Sequence, residues 1–246
     1  LDSAMVTKNS YAIKLLEKDS LFIKADTLFA VGPNENRFIK GRYNVKFFKT
    51  NMSGKSDKFI MNQKNGLIKL IRNKLSKREE QILTSKEISK KNPIIWNGES
   101  QMTGDEIHII RNTKTNQLDS LKILNNAFVI EKDSFGIDNY NQMKGIDLFG
   151  NFKDNELEKI KLNRNTEMIY YLYDEESKDL IGIDKAICSS ILMTINNNKI
   201  DEIIFYTNPE GKVYPEDDLE INRKILNGFN WRIDEKILNK KNFLSK

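Results

Sequence analysis

The stretch Ser20-Leu-Phe-Ile-Lys-Ala-Asp-Thr-Leu28 decides the fold class, because apolar and polar residues alternate along it. The same alternation recurs in Asn44–Lys49, Asp105–Ile110 and Glu202–Tyr206, where β-branched and aromatic residues are frequent. Such alternation is typical of a strand with one buried face. Turn formers such as Asn65-Gly66 separate these runs and favour tight hairpins. We therefore expect an all-β chain that forms one long antiparallel meander.

An internal repeat supports this interpretation. Asn116-Gln-Leu-Asp-Ser-Leu-Lys-Ile123 has the same pattern as Asn155-Glu-Leu-Glu-Lys-Ile-Lys-Leu162 and Asn198-Lys-Ile-Asp-Glu-Ile-Ile-Phe205. A period of about 40 residues with a few strands per unit indicates stacked β structure. A second recurring element, a small residue followed by Asp and a strand, occurs at Ala25-Asp26, Ser56-Asp57 and Gly104-Asp105. A single curved or folded-over sheet fits both patterns.

Two segments depart from the strand pattern. Residues 74–92 are highly charged, with apolar residues at a loosely helical spacing, and we expect an inserted loop with about two turns of helix. A helix that docks a partner is the alternative for this segment. From Glu220 the chain is mixed, and we expect a short helix or loose tail in which Phe229 and Trp231 pack back on the sheet.

Composition excludes several classes of protein. The 246 residues carry a net charge of +5, but the 40 Lys and Arg are interleaved with 35 Asp and Glu, so we expect no nucleic-acid partner. One Cys and one His cannot supply the four ligands of a structural zinc site. No apolar run approaches the ~18 residues of a membrane-spanning helix. No leader peptide is visible before Leu1, as expected for a mature or truncated chain.

The residues that carry catalysis elsewhere have unpromising contexts here. His108 is predicted to face outward from the strand Ile107–Ile109, and Cys188 is predicted to be a buried structural thiol. The carboxylates of 174–176 and 216–218 fall in solvated turns, whereas acid–base pairs require a pocket. We expect no enzyme activity, no cofactor and no metal.

The order of the elements resembles the OstA-like branch of the organic-solvent-tolerance proteins, the periplasmic lipopolysaccharide-transport bridge family. The motifs that carry the resemblance span Asp19 to Trp231 and are 19–28, 43–49, Asn92-Pro-Ile-Ile-Trp96, Gln101-Met-Thr-Gly-Asp105, 125–130, Gln142-Met-Lys-Gly145, Ile169-Tyr-Tyr171, 180–186 and Gly228-Phe-Asn-Trp231. The resemblance implies a β-jellyroll, a long meander folded into a V like a taco. It places the domain at 19–219, with an upstream strand or cloning remnant at 1–18 and a tail at 220–246. The 74–92 insertion is longer than expected for the family.

The resemblance also implies a function. In that family an apolar groove holds the lipid A acyl chains of lipopolysaccharide, and domains stack end to end to bridge the inner and outer membranes. The implied partners are lipopolysaccharide, other bridge-fold domains that pair through edge strands, and further copies of the chain in head-to-tail order. The implied location is the periplasm of a Gram-negative cell, as a free bridge or attached to the outer membrane.

The alternation of apolar and polar residues predicts which side chains line the groove. They are Leu21, Ile23, Phe47, Phe59, Met61, Ile107, Ile109, Leu121, Ile123, Phe128, Ile130, Leu148, Phe152, Ile160, Leu162, Ile191, Met193, Ile203 and Phe205. The same residues would also line an ordinary packed β core. A glycan-binding or adhesion module, with Tyr170, Tyr171 and Tyr173 as its aromatic cluster, is the main alternative function. A carbohydrate-active enzyme is a third.

Overall fold

A computed structural model of the chain describes residues 3–15, 19–33, 36–196 and 199–244. Its described residues form one sixteen-stranded antiparallel sheet. The strands are β1 (Ser3–Leu15), β2 (Ser20–Val31), β3 (Phe38–Lys49), β4 (Met52–Asn62), β5 (Leu67–Ile71), β6 (Ile94–Asn97), β7 (Ser100–Thr103), β8 (Glu106–Arg111), β9 (Leu118–Leu124), β10 (Ala127–Lys132), β11 (Tyr140–Gly145), β12 (Asp147–Lys153), β13 (Glu156–Tyr173), β14 (Leu180–Asn196), β15 (Lys199–Tyr206) and β16 (Glu210–Tyr214). The predicted all-β class is confirmed. Asn198 of the third repeat lies outside the described residues.

The sheet is folded over along a line that we call the crease. β4 pairs with β6 through Met52–Lys55 and with β5 through 58–61. In the same way, β13 pairs with β12 in its first part and with β11 in its second part, and β14 pairs with β15 and β16 through different parts of its length. One half-sheet contains β5, β8, β9, β12 and β15, and we call it the first half-sheet. The second half-sheet contains β6, β7, β10, β11 and β16. The long strands β1 to β4, β13 and β14 run through both, so the fold is a V-shaped jellyroll.

Asparagine pairs mark the crease. Strands that cross from the first to the second half-sheet do so through two consecutive residues of positive φ, of which the second is Asn: Lys8-Asn9, Tyr43-Asn44, Asn125-Asn126, Arg164-Asn165 and Thr207-Asn208. Asn tolerates the left-handed region better than other residues with a Cβ, because its short side chain hydrogen-bonds locally. The register of β1, β3 and β13 shifts at these pairs, as at β-bulges that bend a strand.

The returning strands carry aspartates at the same line. Asn44 Nδ2 donates to Asp26 Oδ2 at 2.8 Å, and Asn126 Nδ2 donates to Asp105 Oδ1 at 3.2 Å. The backbone N–H of Asn125 and the guanidinium of Arg164 donate to Asp147. Two of the recurring aspartates of the sequence, Asp26 and Asp105, therefore anchor the crease.

The 74–92 insertion forms two short helices, α1 (Lys77–Ile82) and α2 (Ser85–Lys91). Each begins with a capping box, in which Ser76 pairs with Glu79 and Thr84 pairs with Glu87. The expectation of about two turns of helix agrees with this arrangement.

The C-terminal segment, residues 215–244, crosses the outer face of the second half-sheet, and we call it the strap. It contains single turns of 3-10 helix at Glu216–Asp218, Ile221–Lys224 and Ile233–Glu235, and ends in α3 (Lys240–Leu244). Leu219 and Leu226 are buried in an outer cluster against which Phe229 and Trp231 pack, as the sequence indicated.

Two buried glutamines of the sheet hold the strap. Gln142 donates through Nε2 to the carbonyl of Lys224 at 2.9 Å and accepts the N–H of Leu226 through Oε1 at 2.9 Å. Gln101 repeats the arrangement with the carbonyl of Asn230 at 2.8 Å and the N–H of Arg232 at 2.7 Å. Each side chain amide thus imitates a backbone amide of a neighbouring strand and satisfies polar groups that burial would otherwise penalise.

Candidate functional site

The facing inner surfaces of the two half-sheets form the main apolar cluster of the chain. Seventeen of the predicted residues belong to it, fourteen of them buried and three, Phe152, Ile203 and Phe205, partly buried. The buried ones are Leu21, Ile23, Phe47, Phe59, Met61, Ile107, Ile109, Leu121, Ile123, Leu148, Ile160, Leu162, Ile191 and Met193. The structure therefore brings these residues from distant strands to one surface.

Phe128 and Ile130 do not share that surface, which corrects their predicted placement. Both belong to the outer cluster beneath the strap, whereas Ala127 and Val129 of the same strand face inward. The reason is that β10 is buried on both faces, so its apolar run Ala127-Phe-Val-Ile130 contains no alternation from which to assign a face.

Sequence reasoning missed further members of the inner surface, and several of them are methionines or small residues. The missed members are Ala25, Leu28, Val45, Met52, Ile68, Leu70, Ile95, Met102, Ala127, Val129, Met143, Leu157, Met168, Ala186 and Cys188. Strand pairing could have located some of them, since directly paired residues in antiparallel strands point to the same face. Cys188 is a buried free thiol.

A cavity of about 870 Å³ opens between the half-sheets. Its apolar wall includes Met52, Val129 and Met143 from the second half-sheet, and Leu157, Ile160 and Met193 from the first. Small-ligand sites have volumes of roughly 300–1,000 Å³ and mainly apolar walls with a few polar groups. The cavity therefore has the size of a small-ligand site, and its lining is divided about equally between apolar and polar surface.

Polar groups ring this cavity. Lys49, Asn51, Lys132 and Asn155 lie among its lining residues, and Glu131 lies beside them. Burial, together with the charges of Asp133 and Glu99, raises the pKa of Glu131, although Ser100 donates a hydrogen bond to it at 3.4 Å. A lining that combines apolar and charged side chains suits a ligand that has an apolar body and a hydrated head.

The three tyrosines considered for a glycan site lie on different faces of β13. Tyr170 packs against the inner cluster, whereas Tyr171 is 3% exposed in the outer cluster. Tyr173 lies in the outer cluster and its hydroxyl donates to Asp133. The three rings therefore do not form an exposed platform on which a sugar could stack.

The titratable groups singled out in the sequence have structural partners. His108 Nε2 lies 2.5 Å from Glu106 Oε1 on the face opposite Ile107 and Ile109, and Lys69 pairs with the same carboxylate at 3.1 Å. Asp174 accepts the N–H groups of Glu176 and Ser177 in a turn. Among the described residues there is no group of three or more His, Cys, Asp or Glu suited to a metal ion.

The ends of the sheet are open edges. Among the described residues, β1 pairs with β2 along one side only, and its side chains Met5 and Leu15 are 64% and 80% exposed. At the opposite end, in the same described part of the chain, β15 and β16 each pair only with β14. Unpaired strand edges can add a strand from another chain.

Comparison with known proteins gives a single match to report. No protein-family model matches the chain, and no curated protein matches it. The chain is similar to the crystal structure of LptH from Pseudomonas aeruginosa, described as the LptA-homologous periplasmic component of the lipopolysaccharide transport device. The similarity has a TM-score of 0.45 at 7% identity and covers 67% of this chain and 95% of that one.

No helix among the described residues is long and apolar enough to cross a bilayer.

Proposed function

We propose that this chain is a non-enzymatic lipid carrier that binds lipopolysaccharide by its acyl chains and bridges the inner to the outer membrane. The observation that carries the proposal is the cavity of about 870 Å³ between the half-sheets, whose lining combines apolar and polar side chains. The order of the sequence motifs, which resembles that of the periplasmic bridge family, supports the choice of ligand and the periplasmic location.

The free energy of acyl chains in water explains why a carrier needs such an interior. Each methylene costs ~0.8 kcal/mol to expose, so a chain of twelve carbons costs roughly 10 kcal/mol. The apolar inner surface offsets that cost. The lysines and asparagines of the lining leave the polar head of the lipid in contact with water, which a sealed core would not allow.

A cavity-filling variant tests lipid binding. Met193 lines the cavity and is 2% exposed, whereas its neighbour Leu192 points to the opposite face of β14. We expect Met193→Trp to weaken binding of lipopolysaccharide by about tenfold or more, measured by displacement of a fluorescent acyl probe, because the indole occupies the space of the chain. Leu192→Trp is the matched control and should bind as the natural chain does.

Because an overfilled core can destabilise a fold, Ile200→Trp serves as a second variant. Ile200 lines the same cavity but is only partly buried, on edge strand β15. Unchanged affinity in both folded variants would contradict the proposed site.

We further propose that the chains assemble end to end through their open edges, with β1 of one copy or of a related domain pairing with the β15 and β16 end of the next. Proline cannot donate a backbone hydrogen bond and is poorly accommodated in a paired strand. Ile204→Pro in β15 should therefore weaken association while the monomer remains folded, and Ile204→Val should not. Light scattering over a concentration series, with circular dichroism as the check on folding, measures both. Equal association of the two variants would contradict edge pairing.

A further inference from the structure

Two cationic side chains lie on the inner surface near the open edge of β1. Lys14 pairs directly with Leu21, which belongs to the inner cluster, so Lys14 points inward from the second half-sheet. Arg111 pairs directly with Leu118, which packs against the same cluster, so Arg111 points inward from the first half-sheet. The two cations therefore face the gap from opposite sides. Neither lines the 870 Å³ cavity.

Arg111 is an unusually buried cation. It is 6% exposed, and its Nε atom is buried without a hydrogen-bond partner. Its Nη1 atom donates to Asn116, whereas the buried Nε–H has no hydrogen-bond partner among the described residues. Buried donors are nearly always satisfied, and a water or an ion is one kind of partner that accounts for an orphan donor.

The charges in this part of the gap are not neutralised by protein. No carboxylate in the described ranges forms an ion pair with Lys14 or Arg111. Burial and then the nearby charge of Arg111 lower the pKa of Lys14 to about 8, and burial lowers the pKa of Arg111. The buried Arg111 and the half-buried Lys14 carry like charges that oppose each other.

We propose that Lys14 and Arg111 form an anion-binding site for a phosphate-type oxyanion. A guanidinium offers two N–H groups along one edge, which match two oxygens of a phosphate, while the lysine ammonium adds a point charge from the opposite half-sheet. Such an anion gives the buried Nε–H a partner, once the side chains around it adjust, and neutralises both cations. The phosphate belongs either to the free ion or to the head of an amphiphile whose chains lie on the inner surface, and only this second form rests on the proposed function.

Inorganic phosphate tests the site itself. Phosphate should raise the melting temperature of the full chain in a concentration-dependent way, because a ligand that binds only the folded state stabilises it by mass action. Lys14→Gln and Arg111→Gln should each weaken the apparent phosphate affinity about tenfold or more, since each removes a charged donor. Lys14→Arg should retain binding. Lys58→Gln is the control, because Lys58 is exposed and pairs with exposed Arg42.

The proposal would be overturned if phosphate did not raise the melting temperature. It would also be overturned if Lys14→Gln and Arg111→Gln responded to phosphate as strongly as the control Lys58→Gln. Arg111→Gln is checked for folding by circular dichroism, and Lys14→Gln on the edge strand gives an independent result if Arg111→Gln unfolds.

Two amphiphiles with the same chain identify the source of the phosphate. Dodecyl phosphate should bind at least tenfold more tightly than uncharged dodecyl maltoside if the lipid head is the ligand, and Lys14→Gln should remove that preference. Binding of inorganic phosphate without this preference would support a site for the free ion. If neither amphiphile binds but phosphate does, the proposed carrier function fails while the anion site holds.

Discussion

Replacement of Gln142 by Met should release the strap from the second half-sheet. Met keeps the length and shape of Gln but lacks both polar atoms. Gln142 is 1% exposed, and the replacement removes the partners of the Leu226 N–H and the Lys224 carbonyl, both at 2.9 Å. A buried unpaired donor costs about 1–3 kcal/mol, and the carbonyl of the partly exposed Lys224 adds about 1 kcal/mol. We expect a loss of about 2–4 kcal/mol in the free energy of unfolding.

Equilibrium urea unfolding measures this loss, and hydrogen exchange at the Leu226 amide localises it. The tryptophans Trp96 and Trp231 have ring centroids 4.8 Å apart across the same contact, so their fluorescence reports whether the strap is docked. Gln117→Met is the matched control, because Gln117 is exposed and its substitution should change the free energy by less than about 0.5 kcal/mol. A Gln142→Met variant as stable as the control, with the Leu226 amide still protected, would refute the role of this side chain.

Three further predictions concern the core, the crease and the pH dependence. Phe59→Ala should cost about 3–5 kcal/mol by urea unfolding because the ring is fully buried, whereas Phe149→Ala, at 37% exposure, should cost far less, and equal costs would contradict the assignment of faces. Asn44→Ala should lower the free energy of unfolding by about 1–2 kcal/mol, and Asn44→Gly should lower it less, because Gly adopts the φ of 49° at this position freely. A Gly variant less stable than the Ala variant would contradict the crease geometry. Burial opposes ionisation of Glu235, but hydrogen bonds from Arg232 and Lys55 outweigh this effect and lower the pKa of the carboxyl group. The carboxylate therefore stabilises the fold at pH values above its unfolded pKa, near 4.3. This stabilisation is lost as the pH falls through the lower pKa of the folded state. Glu235→Gln should therefore reduce stability by about 2–3 kcal/mol at pH 7 and progressively less in acid, and a deficit that is constant with pH would contradict this.

The sequence predicts the face of a residue best where the other face of its strand is exposed to solvent. The residues Ile107, Ile109, Leu121 and Ile123 follow simple alternation, because their neighbours in β8 and β9 face outward. The same reasoning failed at Phe128 and Ile130, since the strap covers the outer face of β10 and removes the polar signal. The strap itself is held by Gln101 and Gln142, whose partners lie more than 80 residues away in sequence.

The crease was visible in the sequence only in part. The aspartates at 26, 57 and 105 form a repeat in the sequence, but the Asn partners of Asp26 and Asp105 look like ordinary turn residues in a chain rich in Asn. Positive φ at consecutive residues depends on how the long strands bend, which local propensity does not specify. The pair of Lys14 and Arg111 was missed for a related reason, because folding of the sheet brings together residues from strands that do not pair with each other.

The most direct test of the central claim is photocrosslinking in Gram-negative cells with probes at Ile160 and Lys161. Ile160 is 3% exposed and lines the cavity, whereas Lys161 is the next residue of β13 and is exposed on the outer face. If the inner surface carries acyl chains, a lipopolysaccharide adduct forms at Ile160 and not at Lys161. A folded chain that gives no adduct at Ile160, or equal adducts at both positions, would contradict the account.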